Sequence, residues 1–248
     1  MADRSVIPPG LAGVLNDGPP VTPVAAGSVL LLDVAASPWR VLMMRRPGGA
    51  RFAPDVYVFP GGTVHASEDG DVHAADPVRA AAVRELFEEV GILLARDAGG
   101  RFARDRECGR LRDLLSAGTG IGWTAALAEL GLVPALDRIT FLARWITPEP
   151  VARRYDTRFY LARRPPGQTV HPQPGEVAAW CWTTVEAALA PEGLPLVHAT
   201  RRILESLAAE PDAGRLIARM RRRRESAPVL PRLVPRADGG FDIVDDGA

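Results

Sequence analysis

Lysine is missing from this chain. Its 248 residues include 30 basic side chains, every one an arginine, balanced by 30 acidic ones to a formal net charge of zero. That absence excludes a P-loop lysine, a Schiff-base lysine and a lysine general base. Codon usage in a GC-rich genome is a sufficient ordinary cause. Cysteine is nearly missing too. Cys108 and Cys181 are too few for a disulfide framework or a four-cysteine zinc ribbon, so two free buried thiols are expected. Long apolar runs are absent, which argues against a membrane partner. Met1 to Pro23 lacks the pattern of a signal peptide, and Asp245 to Ala248 carries no address tag, so the expected location is cytoplasmic. Zero net charge argues against nucleic acid as the main partner. The run Arg221 to Arg224 reads as a solvated helix end, without interleaved aromatics.

What the chain does have is the material for a core: 47% hydrophobic and only 24% charged residues. The Pro/Gly-rich stretch 1–26 reads as an N-terminal leader, 27–210 as the main domain and 211–248 as a C-terminal tail. Within the domain, apolar strands are expected over Ser28 to Val34, Arg40 to Arg45 and Val56 to Phe59. Pro60-Gly61-Gly62 marks a sharp turn. Asp76-Pro77 is a helix start, with Gly91 as the stop. A helical insertion spans about 96–137, broken near Gly118 to Gly122. Strand character returns at Ile139 to Ile146, Phe159 to Ala162 and Val177 to Trp182, and helical patterning at Thr184 to Leu189 and Leu196 to Ala209. Strands mixed with helices without strict alternation predict an α+β domain with a mixed sheet.

The expected helix ends in Arg84-Glu85-Leu86-Phe87-Glu88-Glu89-Val90-Gly91-Ile92. On a helical projection Glu85, Glu88 and Glu89 share an arc of roughly 100°, opposite Val83, Leu86, Phe87 and Val90. Like charges at these spacings cost a few tenths of a kcal/mol per pair. A hard divalent cation reverses that sign, and Mg²⁺ typically bridges carboxylates to substrate phosphates. A solvated acidic face is the plain alternative.

The context decides between them. Phe59-Pro60-Gly61-Gly62 precedes the helix and Glu68 follows Gly62 after five residues. The whole resembles the signature of the nudix hydrolases: Gly, five residues, Glu, then Arg-Glu-apolar-x-Glu-Glu-x-Gly-apolar. With usage of roughly 7% per residue type, the five fixed residues of Arg84 to Gly91 match by chance at about 10⁻⁶ per start. One departure stands out. The family places seven residues between its first Glu and the Arg, whereas fifteen separate Glu68 from Arg84, and family spacing lands on Asp76. Glu68 or Asp76 fills that place. The resemblance implies an α/β/α sandwich and hydrolysis of a diphosphate. It also implies Mg²⁺, or Mn²⁺, on Glu85, Glu88 and Glu89, with Arg84 as the orienting residue. Gly61 and Gly62 would let the backbone bend. The general base is Glu85 or Glu176, the latter in the loop Pro174-Gly175-Glu176.

Leu42-Met43-Met44-Arg45, Arg51 and Phe59 to Gly62 follow the spacing of the motif seen in coenzyme A diphosphatases. Arg46-Pro47 and Asp55 replace its small residues. The long spacer, the insertion, and Thr147-Pro148 with Arg153 to Phe159 resemble peroxisomal acyl-CoA diphosphatases and their bacterial relatives over about residues 27–190. Both resemblances imply CoA or acyl-CoA as the small-molecule substrate. Its phosphates suit the planar fork of arginine, for which Arg45, Arg51, Arg153 and Arg154 are candidates. Tyr155 and Trp123 are candidates to stack a base. His65 and His73 read as exposed polar residues. ADP-ribose, dinucleotides, nucleoside triphosphates or capped RNA are the alternative substrates, and a binding module without turnover is the alternative class. A homodimer is left open.

Overall fold

A computed structural model describes residues 15–16, 18–50, 52–65, 76–118, 120–237 and 240–245. Its centre is β1 (Val24–Asp33), whose run of apolar side chains has no polar alternation because both faces are covered. Leu30 and Leu32 pack with one set of helices, Val29 and Leu31 with another. Around it a mixed seven-stranded sheet assembles from β2 (Arg40–Arg45), β3 (Tyr57–Val58), β4 (Gly61–Thr63), β7 (Thr140–Ile146), β8 (Tyr155–Arg163) and β9 (Ala179–Thr183). β1 runs parallel to β8, with Val24 opposite Tyr155, and antiparallel to β2 and β4.

One face is covered by α1 (Pro77–Val90). Its ends are those the sequence predicts. The Asp76 side chain accepts from the Arg79 amide at 3.1 Å, Pro77 opens the first turn, and Gly91 closes the helix at φ 72°. The helix lies very close to the sheet: a Cβ on Gly27 would stand 2.3 Å from the Val78 carbonyl oxygen. The opposite face is covered by α4 (Val185–Leu189), α5 (His198–Leu207) and α6 (Ala213–Met220), which bury Ile203, Leu204, Leu216 and Ile217 over Leu30, Trp145 and Phe159. The result is an α+β, α/β/α sandwich.

Between α1 and β7 stands the helical insertion. Here α2 (Asp105–Ser116) and α3 (Trp123–Glu129) are stitched to the domain by a small ladder of β5 (Ala95–Arg96) and β6 (Val133–Pro134). They enclose a separate cluster around Leu111, Cys108 and Leu127 that rests on Phe87. Gln168, fully buried, closes the junction: its amide donates to the carbonyls of Leu93 and Ala103 and accepts from the Leu93 amide.

Three boundaries differ from the sequence reading. β1 begins at Val24, inside the stretch read as a leader. β8 begins at Tyr155 rather than Phe159, because its first half is half-buried and lacks apolar alternation. Beyond residue 210, α6 buries Ala213, Leu216, Ile217 and Met220 in the main core. A hairpin of β10 (Arg232–Pro235) and β11 (Phe241–Val244) follows.

Candidate active site

The acidic face of α1 is not the solvated surface that its charge suggests. Arg84 and Glu89 are only 4% and 7% exposed, Glu85 is half-buried, and Glu88 alone is open to solvent. The close approach of the Gly61-Gly62 turn encloses them. That turn is held on β1 by the Ser28 hydroxyl and the Val29 amide, which both donate to the Pro60 carbonyl. The Gly61 amide then donates to Glu89 Oε2 at 2.8 Å. Gly62 passes so near Glu85 that a Cβ would lie 2.2 Å from its Oε1. Any larger residue there would have to displace the Glu85 carboxylate.

Arg84 is the internal counter-charge. It donates to Glu85 at 3.0 Å, to the Thr63 carbonyl at 3.0 Å, and to Glu88. Even so, burial lifts the carboxyls of Glu85 and Glu88 above their ordinary range against the pull of Arg84. Glu89 is lifted well above it, with the Gly61 amide and Arg46 opposing and Glu85 adding to the effect. Buried carboxylates with too little positive charge around them are the electrostatic demand that a cation meets. Arg84 holds Glu85 and Glu88, Gly61 holds Glu89, and no three acidic, histidine or cysteine side chains among the described residues are gathered into a metal-binding cluster.

A cavity of about 760 Å³ opens on this turn. Glu85, Glu89, Gly61, Gly62 and Thr63 form one part of its wall. Glu176, exposed, joins them. Its loop is docked on the end of α1 through the His171 amide to the Val90 carbonyl and the Gln173 amide to the Glu89 carbonyl. The cavity then runs over the sheet face opposite α1, past Ala26, Ser28, Thr157, Phe159 and Trp145, to the start of α5.

The arginine candidates divide. Arg45 lies on β2, outside the cavity wall, with its Nε buried and unpartnered among the described residues. Arg153 is exposed and also outside the wall. Arg154 is a correction: it is 7% exposed and donates to the carbonyls of Thr147 and Val21, so its guanidinium ties backbone segments together rather than reaching the cavity. Arg51, Glu68 and His73 lie outside the described residues. Asp76 is committed to capping α1. Tyr155 does line the cavity, edge-on to Phe52 at 5.5 Å, whereas Trp123 packs on Phe87 in the insertion. No described residue of the 96–137 insertion lines the cavity. Cys108 and Cys181 are free thiols, the first buried and the second half-buried.

The arginine missed by the sequence reading is Arg46. It sits on the wall, donates to the Phe52 carbonyl at 3.0 Å, and its charge favours the ionised form of Glu89. Its signal was the replacement of a small residue by Arg at the strand end. His198 was missed as well; nothing in its local sequence marks it.

Known proteins resemble this chain in sequence and in fold. The NUDIX domain family matches residues 21–109. A Caenorhabditis elegans protein named nudix hydrolase 7 is 35% identical over 123 residues, covering 49% of this chain and 39% of that protein. The acyl-coenzyme A diphosphatase NUDT19 of Gallus gallus is 27% identical over 215 residues, covering 61% of this chain and 55% of that protein. This chain thus spans between two-fifths and just over half of these relatives. The crystal structure of a NUDIX hydrolase from Alicyclobacillus acidocaldarius superposes with a TM-score of 0.62 at 27% identity, covering 79% of this chain and 96% of that one. Residues 21–109 of this chain thus match the NUDIX domain family, and its mixed sheet sandwiched by helices resembles the fold of a NUDIX hydrolase.

Proposed function

We propose that this chain is a divalent-metal-dependent diphosphatase whose leading substrate is CoA or an acyl-CoA. The observation that carries this reading is the meeting of Glu85, Glu89 and Glu176 on one cavity wall at the Gly61-Gly62 turn. The CoA assignment draws weaker support, from the 27% identity to an acyl-coenzyme A diphosphatase and from the partial match of Leu42 to Gly62 to the CoA motif.

Hard carboxylate oxygens held in a partly buried site suit Mg²⁺ or Mn²⁺ in kind. Glu85, Glu88 and Glu89 would hold the ion, which would lower the pKa of a water and neutralise charge on phosphate oxygens. The other steps fall to side chains of the chain itself. Glu176 has no hydrogen bond to its carboxylate among the described residues, whereas Glu85 is engaged by Arg84, so Glu176 is the better base. It takes a proton from the attacking water. The water oxygen bonds to one phosphorus, the P–O bond of the bridge breaks, and the leaving phosphate takes the electron pair. Arg46, already at the wall, offsets phosphate charge. From CoA the products are 3′,5′-ADP and 4′-phosphopantetheine.

The test is product analysis with CoA, acyl-CoA, ADP-ribose, a dinucleotide, nucleoside triphosphates and capped RNA, with and without Mg²⁺ or Mn²⁺. Release of 3′,5′-ADP only in the presence of metal is the expected result. Cleavage of ADP-ribose with CoA untouched sinks the substrate and leaves the chemistry. One observation favours a second reading, a binding module without turnover: the three carboxylates are not gathered into a cluster. Tight binding of CoA without hydrolysis under any metal would establish it.

A further inference from the structure

The far end of the cavity is built by parts of the chain that the family signature does not include. Pro231, Ile243, Val197 and Trp145 make that end mostly apolar, with Thr200 beside them and His198 the titratable side chain among them. The hairpin that supplies Pro231 and Ile243 is docked at two points. Before it, the Val229 amide donates to the Arg144 carbonyl and the Ile146 amide donates to the Val229 carbonyl, extending the edge of β7. After it, Asp245 reaches back 47 residues to His198, Oδ1 to Nε2 at 2.7 Å, while its Oδ2 accepts from Arg202 Nε at 2.7 Å. The His198 ring also stands edge-on to Trp145 at 5.9 Å. Burial works against the charge on Asp245, yet the hydrogen bonds from His198 and Arg202 hold its carboxyl below the usual range.

A carboxylate on Nε2 keeps the proton there in the neutral ring and leaves Nδ1 as an acceptor. Nδ1 has no partner among the described residues. It is the ring atom that His198 leaves unpartnered on a wall shared with Val197, Trp145, Pro231, Ile243 and the hydroxyl-bearing Thr200. We propose that His198 accepts a hydrogen bond from the non-phosphate arm of the substrate, and that Asp245 is a positioning residue that sets the His198 ring and draws the C-terminal hairpin onto the cavity. The matching ligand chemistry is an aliphatic arm that carries an amide or hydroxyl donor. This rests on the diphosphatase reading of the same cavity.

The test compares His198→Ala, Asp245→Ala, Asp245→Asn and the double variant His198→Ala/Asp245→Ala against CoA and against ADP-ribose, which lacks an aliphatic arm. With CoA, the two alanine variants raise KM on the order of tenfold while kcat stays within about twofold. The double variant is no worse than His198→Ala, because Asp245 acts through His198. Asp245→Asn, which keeps an acceptor, recovers most of the loss. KM for ADP-ribose is unmoved. Additive effects in the double variant, an unchanged KM for CoA, or an equal rise for both substrates overturns the inference and leaves the diphosphatase reading standing. If Asp245→Ala does not fold, unchanged KM in His198→Ala and Asp245→Asn overturns it equally. A wild-type protein that cleaves no diphosphate overturns both.

Discussion

The two faces of the sheet are covered in opposite ways. On one, α1 is pressed down at Gly27, and polar groups are buried with it: Arg84 and Glu89 are nearly inaccessible, and each carboxylate lies within reach of a backbone amide or a guanidinium. On the other, α5 and α6 rest on large apolar side chains such as Trp145 and Phe159, and the cavity extends along that face. Close packing positions charge, and looser packing over bulky side chains leaves volume. Where the two meet, at Gly61 to Thr63, the cavity has both.

Removing the charge tests the first face most severely. Glu89→Gln keeps an acceptor for the Gly61 amide but no anionic oxygen, so diphosphate hydrolysis is expected to fall by about 10²–10³-fold. Thermal stability should not fall, since a desolvated carboxylate is lost. Turnover at the wild-type rate in a steady-state assay would break the metal-ligand assignment. Disturbing the contact between the faces comes next. Gly62→Ala puts a Cβ 2.2 Å from Glu85 Oε1, and displacing that carboxylate should lower kcat on the order of 10²-fold. A kcat near wild type would mean that Glu85 can move without consequence.

Smaller effects separate the arginines. Arg46→Ala should raise KM about tenfold through loss of a charged contact, while Arg153→Ala, outside the cavity wall, should stay within about twofold. Equal KM values in the two variants would erase the distinction. The smallest effect is a shift in melting temperature with metal and pH. Because the folded-state carboxyls of Glu85, Glu88 and Glu89 are raised, the metal-free fold binds these protons more readily than the unfolded chain. Their contribution therefore favours the fold as pH falls from neutral through those raised values towards the ordinary carboxylate range, and weakens it as pH rises. Mg²⁺ needs the ionised form. Its stabilisation, read by thermal melting, should be a few degrees at pH 8 and less at pH 6, and chelator should abolish it. A larger increment at pH 6 would contradict the assignment.

Much of the first face was legible in the sequence, and little of the second. The α1 cap at Asp76, its stop at Gly91 and the glycine turn are local signals, each spelled by residues within a few positions of where they act. The cavity-wall position of Arg46 and the backbone contacts of Arg154 are hard to tell apart in sequence, because an arginine-rich chain offers no contrast. Leu216, Ile217 and Met220 have helical spacing, but Arg215 and Arg219 beside them mask α6. The pairing of His198 with Asp245 joins residues 47 apart and has no local trace at all. Pockets assembled from distant segments are legible only once the chain is folded.

Gln168 has a consequence for how such a chain can vary. Its one amide satisfies backbone groups at Leu93 and Ala103, on the two sides of the point where the insertion departs. The helices beyond that seam form their own small core on Phe87 and supply no described residue to the cavity wall. Their outer surface can therefore drift, lengthen or acquire new partners over evolutionary time without moving the glutamates. A carboxylate in place of that amide could not donate to either carbonyl, and the seam would open first.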